Sequence, residues 1–158
     1  MTSSNLDTEI LRASLVGDIP ESLAASAFQG VSFDPEGRGR RSVADYANTL
    51  VGIRQQLETN AAKGGTLANV PEQFERLREG ARRRFIAYLS SSSRCISSFI
   101  AGPSNFPVRR AEKRSDVAHA RLGEYLSFLR RAQEAANRNL RPDLRPIMSG
   151  DADAVDRL

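Results

Sequence analysis

Arginine is the residue type in this sequence with the most potential for chemistry. Of the 23 basic side chains among its 158 residues, 21 are Arg, and the remaining two are Lys63 and Lys113. A guanidinium is planar and forked, so it binds the oxygens of a phosphate or carboxylate in pairs. Adjacent arginines occur at residues 82–84, 109–110 and 130–131. These runs favour a partner that carries phosphates or carboxylates.

The scarcity of other reactive residues limits the catalytic and metal-binding chemistry. The chain has one His and one Cys, whereas a structural zinc needs about four such ligands and an internal disulfide needs two cysteines. His119 would act as the general base of a hydrolase only beside a nucleophile. Cys95 would react only with a depressed pKa and a nearby base. Neither has a visible partner on its predicted helix, so we predict no enzymatic activity, no cofactor and no metal.

The charge divides the chain into three segments. Residues 1–70 have a net charge of −2, residues 71–145 have +8 from 16 basic and 8 acidic side chains, and residues 146–158 have −2. We predict an N-terminal helical segment in the first, a long helical hairpin with a basic surface in the second, and the start of a further helix or a tail in the third.

Hydrophobic periodicity predicts that these elements are helices throughout. Helices are expected near residues 5–16, 20–28, 43–63, 71–101 and 108–140, with a loop over 29–41 and Ser42 as the N-cap of the third helix. In the last helix the apolar residues recur at spacings of three and four, as in the seam of a coiled coil. We therefore predict an all-α fold, with short N-terminal helices packed on a long antiparallel helical hairpin. An exposed seam would favour a homo-oligomer.

The short connector at residues 102–107 would bring basic residues together at one end of the hairpin. The candidate residues for binding nucleic acid or a protein partner are Arg83, Arg84, Arg94, Arg109, Arg110, Lys113 and Arg114. The glycine- and arginine-rich residues 37–41 would add a flexible basic element that contacts phosphates. The alternative is a solvated helix face without a ligand, because acidic residues are interleaved with the arginines.

Six serines lie inside the predicted fourth helix. They are Ser90, Ser91, Ser92, Ser93, Ser97 and Ser98. Small side chains allow a facing helix to approach closely, and we favour that interpretation because the apolar period continues through them. The alternative is an array of hydroxyls that binds phosphate.

The connector and its flanks carry the one resemblance to known proteins. Ser93-Arg94 is followed by Gly-Pro-x-x-Phe-Pro at residues 102–107 and by Arg110-x-x-Lys113. This pattern resembles a segment of uncharacterised phage- and plasmid-encoded helical proteins, over about residues 75–158. The resemblance implies an accessory role in a mobile element and no particular activity, and members of the group look longer than this chain. The corner is either structural, with Arg94 bound to carbonyls of the connector, or functional.

These observations lead to two main functional hypotheses. The first is a non-enzymatic accessory protein of a phage or other mobile element that binds nucleic acid through the arginine-rich hairpin. The alternative is an inhibitor of a host defence system, of anti-CRISPR or anti-restriction type, that binds an effector protein. No apolar stretch approaches the ~20 residues that span a membrane, and the N-terminus does not have the pattern of a signal peptide. We therefore expect a cytoplasmic protein, in the host cytoplasm if it is phage-encoded.

Overall fold

Six α-helices and no strand are formed by the residues that the computed structural model describes, which are 3–102, 104 and 106–144. The helices are α1 (Ser3–Val16), α2 (Glu21–Ser26), α3 (Pro35–Gly64), α4 (Val70–Ser92), α5 (Ser98–Ala101) and α6 (Val108–Leu140). Single 3₁₀ turns follow α3 and α6, at Leu67–Asn69 and Pro142–Leu144. The predicted all-α fold is confirmed, and the predicted segment 146–158 lies outside the described residues.

The three long helices, α3, α4 and α6, form a bundle in which α4 runs against the other two. Antiparallel α4 and α6 are joined near one end by a hydrogen bond from Asn139 to Gln73 at 3.0 Å, and near the other by one from Arg114 to the carbonyl of Arg94, also at 3.0 Å. Helix α3 runs parallel to α6, because Asn60 donates to Asn137 at 2.9 Å and a second amide bond joins these helices one turn earlier. The predicted antiparallel hairpin is therefore present.

Helices α1 and α2 pack mainly on α3, with α2 also touching α4. One hydrophobic core joins them to the hairpin and extends from Leu15 in α1 to Leu140 at the end of α6. At its centre the ring of Tyr46 stacks on Phe85, with centroids 4.9 Å apart, and Tyr125 lies 5.2 Å from Phe85. Each long helix thus contributes one aromatic ring to the middle of the bundle.

The apolar seam predicted on α6 faces this core. Tyr125, Leu129, Ala136 and Leu140 are buried within the chain. Leu122 and Ala132 are partly buried against the same core. The seam therefore packs inside the chain and is not an exposed surface for a second copy.

Helix α3 begins eight residues earlier than predicted. Asp34 is its N-cap, with a side-chain oxygen accepting from the backbone N–H of Gly37 at 2.9 Å, and Pro35 lies in the first turn. The predictions of a loop over 29–41 and of a cap at Ser42 are wrong from Pro35 onwards. The N-cap and the proline outweigh the helix-breaking tendency of the two glycines, and Gly37 and Gly39 are both buried. At its other end α3 stops as predicted, with Gly65 in the left-handed conformation (φ 68°).

Helix α4 ends at Ser92, nine residues before the predicted end of the fourth helix. The chain turns through residues 93–97 and then forms the one-turn helix α5, which Ser97 caps by accepting from the N–H of Phe99 at 3.2 Å. The backbone N–H of Ser97 donates to the carbonyl of Gly30 at 2.8 Å. The run of serines therefore permits a break in the helix, because hydroxyls satisfy backbone groups locally, and only Ser92 among the six is buried.

Candidate functional site

Four of the seven predicted site residues line one groove where α4 turns back towards α6. Arg94 lies in the turn that follows α4, and Arg110, Lys113 and Arg114 come from the first two turns of α6. Ser91 and Val117 complete the lining of this basic groove, which encloses about 260 Å³. The spacing explains the convergence, because residues three and four apart on a helix share one face. The predicted basic end of the hairpin is therefore present as a concave surface.

The cations of the basic groove have no acidic partner among the described residues. No carboxylate of residues 3–102, 104 and 106–144 lies within ion-pair distance of Arg94, Arg110, Lys113 or Arg114, although Glu112 and Asp116 are close in sequence. Elsewhere nine arginines do form ion pairs: Arg12, Arg40, Arg41, Arg54, Arg76, Arg78, Arg82, Arg121 and Arg141. Within the described part of the chain, the positive charge of the groove is thus not compensated by acidic side chains.

One hydrogen bond fixes the floor of the basic groove. Arg114 Nη1 donates to the carbonyl oxygen of Arg94 at 3.0 Å, which joins the two sides of the hairpin where α4 has just ended. The guanidinium of Arg94 makes no hydrogen bond to the described connector residues 102, 104, 106 and 107. Arg114 is half-buried, and Arg94, Arg110 and Lys113 are exposed. The groove therefore has one cation held by a hydrogen bond and three whose side chains make no hydrogen bond or ion pair to a described side chain or backbone group.

The other three predicted site residues lie apart from the basic groove. Arg109 is exposed on the first turn of α6 and does not line it. Arg83 is exposed on α4, about three helical turns before Arg94. Arg84 stacks its guanidinium on the ring of Phe128, 4.0 Å from the centroid, and donates to the carbonyl of Gly80 at 3.1 Å. Arg84 thus bridges α4 and α6.

The arginines at residues 37–41 are held on the first turns of α3. Arg40 pairs with Glu36 at 3.9 Å and Arg41 with Asp34 at 3.5 Å. Arg38 lies over the ring of Phe28, 4.9 Å from its centroid. The expected flexible basic loop is therefore a helical segment whose charges already have partners in the chain.

The residues weighed for catalysis remain apart from one another. His119 is exposed on α6 and makes no hydrogen bond or ion pair to a described residue. Cys95 is half-buried behind the basic groove, with its Sγ 3.8 Å from the carbonyl oxygen of Ser91. Burial raises the pKa of the Cys95 thiol, and the charge of Arg114 opposes that shift only in part, so the thiol is protonated at neutral pH. Within residues 3–102, 104 and 106–144, no cluster of three or more His, Cys, Asp or Glu side chains could hold a metal ion.

One surface feature was missed by sequence reasoning. Phe33 and Phe99 are exposed, and their rings meet edge to face with centroids 5.6 Å apart and an interplanar angle of 73°. Each residue lies beside a turn, and nothing in the apolar periodicity relates residues 66 positions apart. The apolar period includes only Phe99, and it predicts that this side chain lies on the buried face of the fourth helix. Helix α4 ends at Ser92, seven residues before Phe99, so that prediction is wrong.

None of the described helices combines the length and the apolar character needed to cross a membrane. The resemblance seen in the connector stays a prediction. Comparison with protein-family models, curated proteins and solved structures yields no match to this chain.

Proposed function

We propose that this chain is a non-enzymatic nucleic-acid-binding protein that holds phosphates in the basic groove. Arg94, Arg110 and Lys113 would contact the backbone of the nucleic acid, with Arg114 adding charge from the floor. The role that we propose is that of an accessory protein of a phage or other mobile element, acting in the cytoplasm of the host. The resemblance of the connector to phage- and plasmid-encoded helical proteins supports that context.

The observation that carries this proposal is the convergence of four cations on one concave surface, where no described carboxylate forms an ion pair with them. Elsewhere on the helices some arginines pair with acids three or four residues away, as Arg40, Arg76 and Arg121 do. Arg83 and Arg130 also have no described acidic partner, but they do not line this groove. Like charges brought together without partners repel each other, so their convergence favours an anionic ligand.

The residue types of the basic groove also favour a polyanion over an apolar small molecule. Five of the six residues that line the groove are charged or polar, whereas small-molecule pockets are lined mostly by apolar and aromatic side chains. Contacts of this kind position a polyanion without reading its sequence. We therefore expect binding that is independent of sequence and sensitive to salt.

A pair of double variants with equal charge tests this proposal. Arg110→Gln with Lys113→Gln removes two cations of the basic groove. Arg76→Gln with Arg138→Gln removes two cations from the opposite end of the hairpin. Fluorescence anisotropy with labelled oligonucleotides at low salt should show at least tenfold weaker binding for the first variant and less than a twofold change for the second.

Equal losses in the two variants would mean that net charge alone drives binding, and the groove would not be the site. Absence of any binding by the wild-type protein at low salt would overturn the proposal. The alternative of a host-defence inhibitor would then be tested next. A pull-down would show whether the wild type binds an effector protein and whether the same groove variant fails to bind it.

A further inference from the structure

We infer that the nucleic acid bound by this protein is single-stranded, and that Phe33 and Phe99 form the platform on which its bases stack. This inference rests on the proposed function, since it specifies the form of the ligand in the same region. It is carried by the aromatic pair, meaning Phe33 and Phe99, and by the short backbone segment that links Phe99 to Arg94 of the basic groove.

The exposure of the aromatic pair sets it apart from the other aromatic residues. The chain has seven Phe, three Tyr and no Trp, and the remaining eight rings are buried or partly buried. Phe33 is 78% exposed and Phe99 is 81% exposed, yet each touches the other. The two rings, 66 residues apart in sequence, form a contiguous apolar patch on the surface, and such patches can serve in recognition.

The backbone on both sides of the aromatic pair is fixed by capping interactions. Phe33 directly precedes Asp34, the N-cap of α3, and the N–H of Asp34 donates to Ser32 Oγ at 3.2 Å. The N–H of Phe99 donates to Ser97 Oγ at 3.2 Å. These bonds fix the backbone that carries the two rings, which lowers part of the entropic cost of placing a base against them.

A short stretch of backbone links the aromatic pair to the basic groove. The carbonyl oxygen of Arg94 accepts a hydrogen bond from Arg114 in the basic groove. Three residues later, the backbone N–H of Ser97 donates to the carbonyl oxygen of Gly30 at 2.8 Å. A Cβ atom at Gly30 would lie 2.2 Å from the carbonyl oxygen of Cys95, so the two segments are in direct contact. Because Phe99 is five residues from Arg94, the chain keeps them within roughly 18 Å.

This combination of cations and exposed rings matches single-stranded nucleic acid better than duplex. In a duplex the base faces are stacked on each other and only the edges and the backbone are accessible, whereas a single strand presents its base faces to aromatic side chains. Phosphates in the basic groove and bases on the aromatic pair would be successive contacts along one strand. Stacking tolerates any base, so the binding need not depend on sequence.

Anisotropy titrations with wild-type protein and three variants test this inference. The probes are labelled oligothymidylate and oligouridylate of about 12 nucleotides, a length that such proteins cover, and a DNA duplex of the same length. The variants are Phe33→Ala, Phe99→Ala and the control Leu67→Ala, which removes a side chain that is 54% exposed at the opposite end of α4. Circular dichroism melting should give similar midpoints for all four proteins, because the replaced side chains are exposed.

We expect tighter binding of the single strands than of the duplex, and about tenfold weaker single-strand binding for each Phe variant, as the loss of one stacked base requires. Leu67→Ala should bind like the wild type. Phe99→Trp keeps an aromatic ring at this position and should bind the single strands like the wild type. Because the chain has no other Trp, the single strands should quench the fluorescence of this Trp when a base stacks on it.

Three results would overturn the inference, and they separate it from the proposed function. Equal affinity for duplex and single strands, or single-strand binding that the Phe variants leave unchanged, would refute the stacking platform while the proposed function stands. The aromatic pair would then be a contact for another molecule, such as an apolar protein segment. If the wild type binds neither form at low salt, both proposals are wrong.

Discussion

At the scale of single residues, one polar cluster ties the N-terminal helices to the hairpin. Asp18 accepts two hydrogen bonds from Arg78, at 2.7 and 2.9 Å, and one from the hydroxyl of Tyr46 at 3.1 Å. Arg78 also donates to Ser14 Oγ at 2.9 Å. The side chains of Asp18 and Arg78 are only 11% and 20% exposed, so the pair is shielded from water and from screening by salt. Charge-assisted, two-pronged contacts of this type are among the strong hydrogen bonds of proteins.

Replacing Asp18 should therefore destabilise the protein more than a surface substitution does. Asp18→Ala leaves Arg78 with only its longer ion pair to Glu75, at 3.5 Å, and leaves Tyr46 without its acceptor. We expect a loss of about 2–4 kcal/mol in the free energy of unfolding. The control Asp45→Ala, at an exposed position of α3, should change it by less than about 0.5 kcal/mol. Urea unfolding followed by circular dichroism measures both. A similar, small effect of the two variants would show that the cluster does not stabilise the fold.

Two buried tyrosines predict a loss of stability at alkaline pH. Burial raises the pKa of Tyr46 above its ordinary value, and the charge of Asp18 raises it further. Burial also raises the pKa of Tyr125. The unfolded chain loses these protons from about pH 10 upwards while the folded chain keeps them. Stability is therefore complete below pH 10 and falls as the pH rises, by up to about 1.4 kcal/mol per pH unit for each tyrosine.

The variant Tyr125→Phe tests this alkaline dependence. The substitution keeps an aromatic ring in the core and removes one titrating group, so the free energy of unfolding should decline less steeply between about pH 10 and 11. Urea unfolding at several pH values gives the slope. An unchanged slope in the variant would contradict the assignment.

At the scale of elements, the packing of α2 on α3 depends on one glycine. A Cβ at Gly39 would lie 2.7 Å from the backbone carbonyl carbon and oxygen of Ala24. The backbones of α2 and α3 thus approach more closely than a side chain at this position allows. Gly52, in the same helix, has no atom within 4 Å of the place where its Cβ would be.

The two glycines of α3 should respond oppositely to the same substitution. Gly39→Ala should lower the free energy of unfolding by about 1–3 kcal/mol, because α2 has to move. Gly52→Ala should raise it by about 0.5–1 kcal/mol, because Ala favours helix and nothing is displaced. Thermal and urea unfolding of both variants check the signs. If Gly39→Ala were also stabilising, the close approach of α2 and α3 would be wrong.

The helices that sequence reasoning locates best are those whose apolar period and end signals agree. Helix α6 has the predicted bounds because its seam and the prolines on either side point to the same limits. The start of α3 is not predicted correctly because Gly37 and Gly39 resemble helix breakers. The structure shows that Gly37 lies against the carboxylate of Asp34 and Gly39 against the backbone of α2. The end of α4 is not predicted correctly because the apolar period continues into residues 96–100. These residues lie beyond the helix, and Ser97 among them donates a hydrogen bond to the carbonyl of Gly30.

The candidate site shows the same division between local and tertiary information. Arg110, Lys113 and Arg114 are predictable together because helical spacing fixes their common face. Arg94 joins them through the antiparallel connection. The lack of a described ion-pair partner for these cations is not evident from the sequence, because Glu112 and Asp116 lie close to them along the chain. The aromatic pair depends on a contact between residues 66 positions apart, which local sequence does not reveal.

At the scale of the whole molecule, the net charge of +4 is less informative than its location. The paired arginines contribute little field beyond their own partners, whereas the unpaired cations of the basic groove act together. Each phosphate that they bind would release counterions, so affinity should fall as salt rises, with a slope set by the number of contacts. The number of groove cations thus predicts the slope of the salt dependence of binding.

The salt dependence of nucleic-acid binding tests the central claim most directly. The logarithm of the wild-type association constant for an oligonucleotide should fall linearly with the logarithm of the salt concentration, with a slope of about −3 to −4 for four groove cations. Arg110→Gln with Lys113→Gln should make that slope shallower by about 2, and Arg76→Gln with Arg138→Gln should leave it unchanged. A slope near zero, or the same slope in the wild type and the groove variant, would contradict the account.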